Sequence, residues 1–259
     1  MEPILTTTYT KDEAYQCAVL ANKAYENFKD GQQISDSHIV LHTIIGHDTD
    51  TTLYLIHNSI SNTLYISWRG TESMRDWLSD ASISKVNAFD IVGLDVHSGF
   101  YGCYKEVRTR LLSSIRQYIE NLNPKAIIVT GHSLGAALAT LNAFDISITF
   151  KDVKNLQVYT FGSPRVGNKF FRTAYNSLVP NTFRFIHAMD IVTRVPKVGF
   201  NHVKGMGIHI NSNGKIFKWY ENLLSRILWY PKVLIADLTG EAIKDHMMKD
   251  YISSISKIK

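Results

Sequence analysis

Val129-Thr130-Gly131-His132-Ser133-Leu134-Gly135 is the stretch on which the fold turns. It begins at the end of Ala126–Val129, a continuous apolar run of the kind found in strands buried on both faces. It leads into Leu134–Ile148, which is apolar nearly all round and carries four alanines, predicting a helix buried at the centre of a domain. Gly131, Ser133 and Gly135 therefore spell G-x-S-x-G between a strand and a helix. That context is the nucleophile elbow, in which the serine occupies a strained turn and the glycines let helix and strand approach without side-chain collision. A helix starting at Leu134 also aims its first N–H groups at the negative charge that forms on attack.

The surrounding elements continue the same grammar. Phe100, Tyr104, Val107, Leu111, Ile115, Ile119 and Leu122 recur at spacings of three and four, an amphipathic helix stopped by Asn123-Pro124. Leu156–Phe161 and Phe183–Ala188 read as further strands separated by a helical stretch around Phe170–Leu178. Helix and strand in strict alternation predict an α/β fold with a largely parallel sheet. Upstream, a first helix is expected from Lys11 to Phe28, ending near Asp30-Gly31. Strands follow at Ile39–Ile45, Leu53–His57 and Leu64–Trp68, the last two joined by a polar hairpin turn at Asn58–Asn62. The C-terminal part holds a hairpin-like segment near Gly214, an apolar stretch from Leu223 to Ile235 and a last helix after Gly240.

Composition narrows the function classes. At 259 residues, 45% hydrophobic and 20% charged, the chain reads as one globular α/β domain over residues 1–259. Its 28 basic and 23 acidic residues leave a net charge of +5. The basic residues are dispersed, without a Lys/Arg run or an aromatic-interleaved motif, so no nucleic-acid partner is expected. Ten histidines are scattered with no HExxH and no CxxC, which predicts no metal centre. Cys17 and Cys103 lie far apart and form no disulfide framework, as suits a reducing compartment. Met1-Glu2-Pro3-Ile4 does not open a basic and then apolar leader, and no uncharged apolar stretch reaches ~18 residues. The expected location is intracellular, in the cytoplasm or peripheral to membranes.

A serine hydroxyl needs a base to take its proton and a carboxylate to orient that base. On this scaffold the chain order is serine, acid, histidine. Asp190 follows the apolar run Phe183–Ala188 at a strand end, where such an acid belongs, whereas Asp145 and Asp152 read as solvated or capping carboxylates. Three histidines come after Asp190: His202, His209 and His246. Chain order alone does not choose among them. His202 and His209 fall in strand and hairpin surroundings, while His246 stands early in the terminal helical stretch and is the favoured base. An oxyanion hole would take one N–H from Leu134 and a second from the loop after an early strand, and Ile66-Ser67-Trp68-Arg69-Gly70-Thr71 offers such a strand followed by a flexible glycine and a hydroxyl residue.

Taken together these pieces resemble the class 3 (fungal-type) lipases of the α/β-hydrolase fold, over roughly residues 25–251. The matching segments are Trp68-Arg69-Gly70-Thr71, Val96-His97-Ser98-Gly99-Phe100, Gly131 through Ala139, Thr160-Phe161-Gly162-Ser163-Pro164-Arg165-Val166-Gly167-Asn168, Asp190-Ile191-Val192 and Asp245-His246. The resemblance implies Ser133 as nucleophile, Asp190 as acid, His246 as base, and Thr71 with Leu134 in the oxyanion hole. It implies a cofactor-free serine hydrolase acting on carboxylic esters, foremost acylglycerols, and contact with a membrane or lipid-droplet surface. A phospholipase A1, a soluble-ester (feruloyl-type) esterase and a non-catalytic lipase-like signalling module are the other readings it leaves open.

Departures and additions matter as well. The leader and disulfide cysteines of the secreted fungal enzymes are absent, which points to an intracellular branch. In Glu72–Asp80, Met74, Trp77 and Leu78 fall on one apolar helical face. By resemblance this is a lid over the acyl groove, although a short helix packed on the core has the same pattern. The stretch Leu223–Ile235 reads either as core or as a groove-lining interface element.

Overall fold

The computed structural model describes residues 8–71, 84–204, 207–217 and 241–258. Helix α1 (Lys11–Lys23) precedes strands β1 (Gln33–Ser35), β2 (His38–Ile45), β3 (Thr52–Asn58) and β4 (Thr63–Trp68). A small hairpin, β5 (Lys85–Asn87) and β6 (Asp95–His97), leads into α2 (Ser98–Leu122). Then come β7 (Ala126–His132), α3 (Leu134–Thr149), β8 (Leu156–Phe161), α4 (Lys169–Leu178) and β9 (Thr182–His187). The chain closes with β10 (Ile208–Ile210), β11 (Ile216–Phe217), α5 (Glu241–Lys244) and α6 (Met248–Ser256).

Among the described residues, nine strands form one sheet in the order β1-β2-β3-β4-β7-β8-β9-β10-β11. Its first four strands are an antiparallel meander. From β4 through β7, β8 and β9 to β10 the pairing is parallel, and β11 returns antiparallel to β10. This is the mostly parallel, helix-flanked sheet of the α/β-hydrolase fold. Period-two alternation along the strands feeds two cores. Leu64, Ile66, Trp68, Ile127, Val129 and Val158 pack with residues of α2, α3 and α4. Tyr65, Ile128, Tyr159, Phe161 and Phe185 pack on the other face with α1 and α6. Each central strand is covered on both sides, which is why β7 reads as an unbroken apolar run.

The strands fall close to their expected bounds, and two elements differ. Helix α1 ends at Lys23, five residues short of Phe28. Beyond it the chain turns, with Tyr25 N–H donating to Asn22 O and Glu26 N–H to Lys23 O. The residues that looked helical are held by long-range partners instead: Tyr54 Oη donates to Glu26 O at 2.6 Å, and Phe28 is buried against the Tyr54 ring. The terminal helical stretch is broken into α5 and α6, leaving Asp245–Met247 as a turn. A third correction concerns Asp145. It is neither solvated nor a cap: fully buried within α3, it accepts from Arg108 Nε at 2.6 Å, Arg108 Nη2 at 2.9 Å and Tyr104 Oη at 2.7 Å. Asp152 is exposed, as expected.

Candidate active site

Because β4, β7, β8, β9 and β10 run parallel, their C-terminal ends share one edge of the sheet, where α/β proteins place their chemistry. Ser133 lies there, between β7 and α3, with φ 60° and ψ −125°. A non-glycine residue in that region stores about 1–3 kcal/mol of strain. The elbow is closed by its neighbours. A Cβ on Gly131 would collide with the Gly135 backbone, and one on Gly135 with the backbone of Trp68 and Arg69. Ser133 N–H donates to Phe161 O at 3.0 Å, pinning the turn to the end of β8. Trp68, the last residue of β4, is in register with Gly131, so the segment running on to Thr71 leaves the sheet beside the elbow. Leu134 is the first residue of α3, so its N–H belongs to the first turn, whose donors have no acceptor within the helix.

Asp190 stands three residues beyond β9 and is buried. Its Oδ2 accepts from His246 Nδ1 at 2.8 Å and from Tyr251 Oη at 2.6 Å, while Oδ1 accepts from Val192 N–H at 2.9 Å. Nδ1 of His246 is thereby the protonated nitrogen of the neutral ring, and Nε2 carries the lone pair of a base. Among the described residues this Nε2 is buried and makes no hydrogen bond. Burial, and next the charge of Asp190, push the Tyr251 phenol well above its usual range, so it remains a donor. Gly162 touches both members of the pair: its φ is +61°, and a Cβ there would sit 2.7 Å from Asp190 Oδ2 and from His246 Cε1.

His246 occupies the turn between α5 and α6, and the turn is fastened on three sides. Asp245 Oδ2 accepts from Met189 N–H at 2.9 Å, and His187 Nδ1 lies 3.1 Å from Asp245 O. His132 Nε2 lies 2.7 Å from His246 O. The other candidate histidines go elsewhere. His202 Nε2 donates to Thr193 O at 2.6 Å, and His209 lies on β10. Burial, reinforced by Arg184, drives His202 well below the usual histidine range and His209 down to about 4. The structure thus brings His246, and neither of these two, to the Asp190 carboxylate. Met74, Trp77 and Leu78, and the stretch 223–235, lie outside the described residues.

The linear pattern points to no role for Tyr25, His132, Gly162 or His187, and marks Tyr251 only as part of an apolar helix behind His246. The available signals are weak: His132 within the elbow, Gly162 within a motif, Tyr251 five residues past His246. Asn168, in that same motif, is structural, capping α4 through Phe171 N–H at 2.8 Å and donating to Gly93 O at 2.8 Å.

Residues 65–200, more than half of the chain and including the elbow and Asp190, match the family described as Lipase (class 3). The chain belongs to the class 3 lipases. Within that family it is 31% identical over 168 residues to the secreted mono- and diacylglycerol lipase 1 of Fusarium solani, a match covering 64% of this chain and 49% of the relative. It is 35% identical over 153 residues to the chloroplastic phospholipase A(1) DAD1 of Arabidopsis thaliana, covering 51% and 33%. The chain spans about half the length, or less, of these curated relatives. Among solved structures, a lipase from Rhizopus microsporus var. chinensis superposes with a TM-score of 0.70 at 28% identity, covering 81% of this chain and 78% of that one. A triacylglycerol lipase whose catalytic centre is described as a serine protease triad gives a TM-score of 0.72 at 27% identity, covering 82% and 84%.

Proposed function

We propose that this class 3 lipase hydrolyses carboxylic esters of lipids, foremost acylglycerols, through an acyl-enzyme on Ser133. The observation that carries the reading is the 2.8 Å bond from His246 Nδ1 to Asp190 Oδ2, at the sheet edge where a serine is held at positive φ. In the first half-reaction His246 Nε2 takes the Ser133 hydroxyl proton as Oγ attacks the ester carbonyl. The N–H groups of Leu134 and Thr71 receive the oxyanion, and the Thr71 hydroxyl can add a further donor. His246 then returns the proton to the departing alkoxide, leaving the acyl group on Oγ. In the second half-reaction the same nitrogen deprotonates water, which attacks the acyl-enzyme, and the proton passes to Ser133 as the fatty acid leaves. Asp190 stays ionised throughout and holds the imidazole in its Nδ1–H form.

The relatives support an ester of either lipid class. Mono- and diacylglycerol lipases and a phospholipase A1 lie within the same range of identity, so the sn-1 ester of a phospholipid is the second reading. Hydrolysis rates of purified protein on monoacylglycerol, triacylglycerol, phosphatidylcholine and a soluble aryl ester separate the two, with Ser133→Ala as control. Acylglycerol turnover abolished in Ser133→Ala is the expected result. Failure of Ser133 to take a fluorophosphonate label would mark a binding module instead.

A further inference from the structure

The histidine of the elbow has a ring arrangement that the triad chemistry leaves unused. His132 Nε2 lies 2.7 Å from the carbonyl oxygen of His246, and its Nδ1 lies 2.9 Å from Tyr25 Oη. A carbonyl only accepts, so Nε2 carries the hydrogen. In a neutral ring Nδ1 then holds the lone pair, and Tyr25 donates to it. The ring itself lies flat on the His246 imidazole, with centroids 4.4 Å apart and planes at 29°. Gly70, two residues past β4 and next to Thr71, makes room for this, since a Cβ there would overlap the Tyr25 hydroxyl.

Resting on the proposed role of His246 as base, we infer that His132 is a positioning residue for it, locked as the neutral Nε2–H tautomer between the His246 carbonyl and the Tyr25 hydroxyl. The lock has two consequences. The Nε2–H bond ties down the backbone of the base, and the flat face of an uncharged ring lies against the imidazolium that forms during turnover. Were His132 to protonate, the two stacked rings would repel each other. Its burial, and then the charge on His246, hold it well below the usual histidine range, so the catalytic proton stays on His246.

Among the described residues, titratable groups from several elements face this pair. Asp190 and Tyr251 lie against the pair, Tyr251 from α6 with its ring 6.1 Å from that of His132. Tyr25 comes from the turn after α1, and His187 and Asp245 fasten the turn that carries the base. Arg184 on β9 acts on Tyr251 through space.

The two consequences can be separated by substitution. His132→Phe keeps a flat ring and loses the N–H donor. Its kcat should fall about tenfold or more with KM little changed, because a buried carbonyl loses its partner, and the acid limb of kcat/KM should stay in place. His132→Gln keeps an N–H donor and loses the ring face. Its acid limb should move about half a pH unit lower, because the imidazolium loses a cation–π contact. Tyr25→Phe removes only the hydroxyl that pairs with the Nδ1 lone pair of this tautomer and serves where His132 variants fold poorly; a several-fold loss of kcat is expected. Nitrogen NMR of the wild-type protein gives a readout apart from activity: His132 should be protonated at Nε2 and should not titrate between pH 5 and 8. An Nδ1–H tautomer, titration in that range, or wild-type kinetics in all three variants would overturn the inference. If instead wild-type Ser133 takes no fluorophosphonate label, it is the functional reading that fails, while the NMR result still decides the tautomer.

Discussion

The phenol of Tyr251 and the imidazole of His246 both donate to one oxygen of Asp190: Oδ2 accepts from Tyr251 Oη at 2.6 Å and from His246 Nδ1 at 2.8 Å. With Val192 N–H on Oδ1 at 2.9 Å, the carboxylate spends much of its accepting capacity away from the histidine. Each competing donor draws charge from the carboxylate and weakens its hold on an imidazolium.

Replacing Tyr251 with Phe removes one such donor. Asp190 then pairs more strongly with protonated His246, so the acid limb of the kcat/KM profile should rise by about half to one pH unit. A several-fold loss of kcat near neutral pH should accompany it, since the carboxylate is less firmly oriented. An acid limb that stays put, measured on a soluble ester between pH 4 and 9, would show that Tyr251 only fills space.

Ser133 is held at φ 60°, where glycine is at ease and other residues are strained. Ser133→Gly should therefore be more stable than Ser133→Ala by about 1 kcal/mol, read from urea midpoints at an unchanged m-value. Both variants should lose roughly 10⁵–10⁶ in kcat. Equal stability of the two would mean that the elbow relaxes at no cost once the hydroxyl is gone.

The choice among histidines can be read from a ranking. His246→Ala should fall to within about tenfold of Ser133→Ala, because members of one triad fail together. His202→Ala should keep at least about a tenth of wild-type kcat, because its Nε2 bonds to Thr193 O rather than to Asp190. Rates of the three purified variants on one ester give the order directly, and a reversal would move the base to His202.

Acid should destabilise this protein before its carboxylates titrate. His209 is buried and its folded-state value lies at about 4, below the 6.5 of an unfolded chain. Its contribution is fully present above pH 6.5 and is lost as pH falls toward 4, because the unfolded state takes up the proton first. Burial lowers His202 and His132 in the same direction. Unfolding free energy should thus decline by several kcal/mol between pH 6.5 and 4, of which His209→Gln should remove up to about 3 kcal/mol. A stability profile that is flat over this window in the wild type would contradict the neutral, buried state of these rings.

Local pattern determined the elements and the nucleophile. The apolar run of β7, the all-apolar α3 and the glycines at 131 and 135 are short-range features, and each carries its own steric or hydrophobic reason. Asp190 was legible for the same reason, as the first carboxylate beyond a buried strand. Strand register, layering and the partners of buried polar groups are long-range properties, and there only the tertiary structure decided. His246 rather than His202 reaches Asp190 because the turn between α5 and α6 is fastened to Met189 and His132, far away in the chain. Asp145, which looks solvated in a linear reading, is a buried ion pair because α2 brings Arg108 across to it. Tyr25 leaves an otherwise helical pattern for a hydrogen bond to His132, 107 residues away. Periodicity reports which face of an element is buried; it carries no record of which polar atom on another element will be there to meet it.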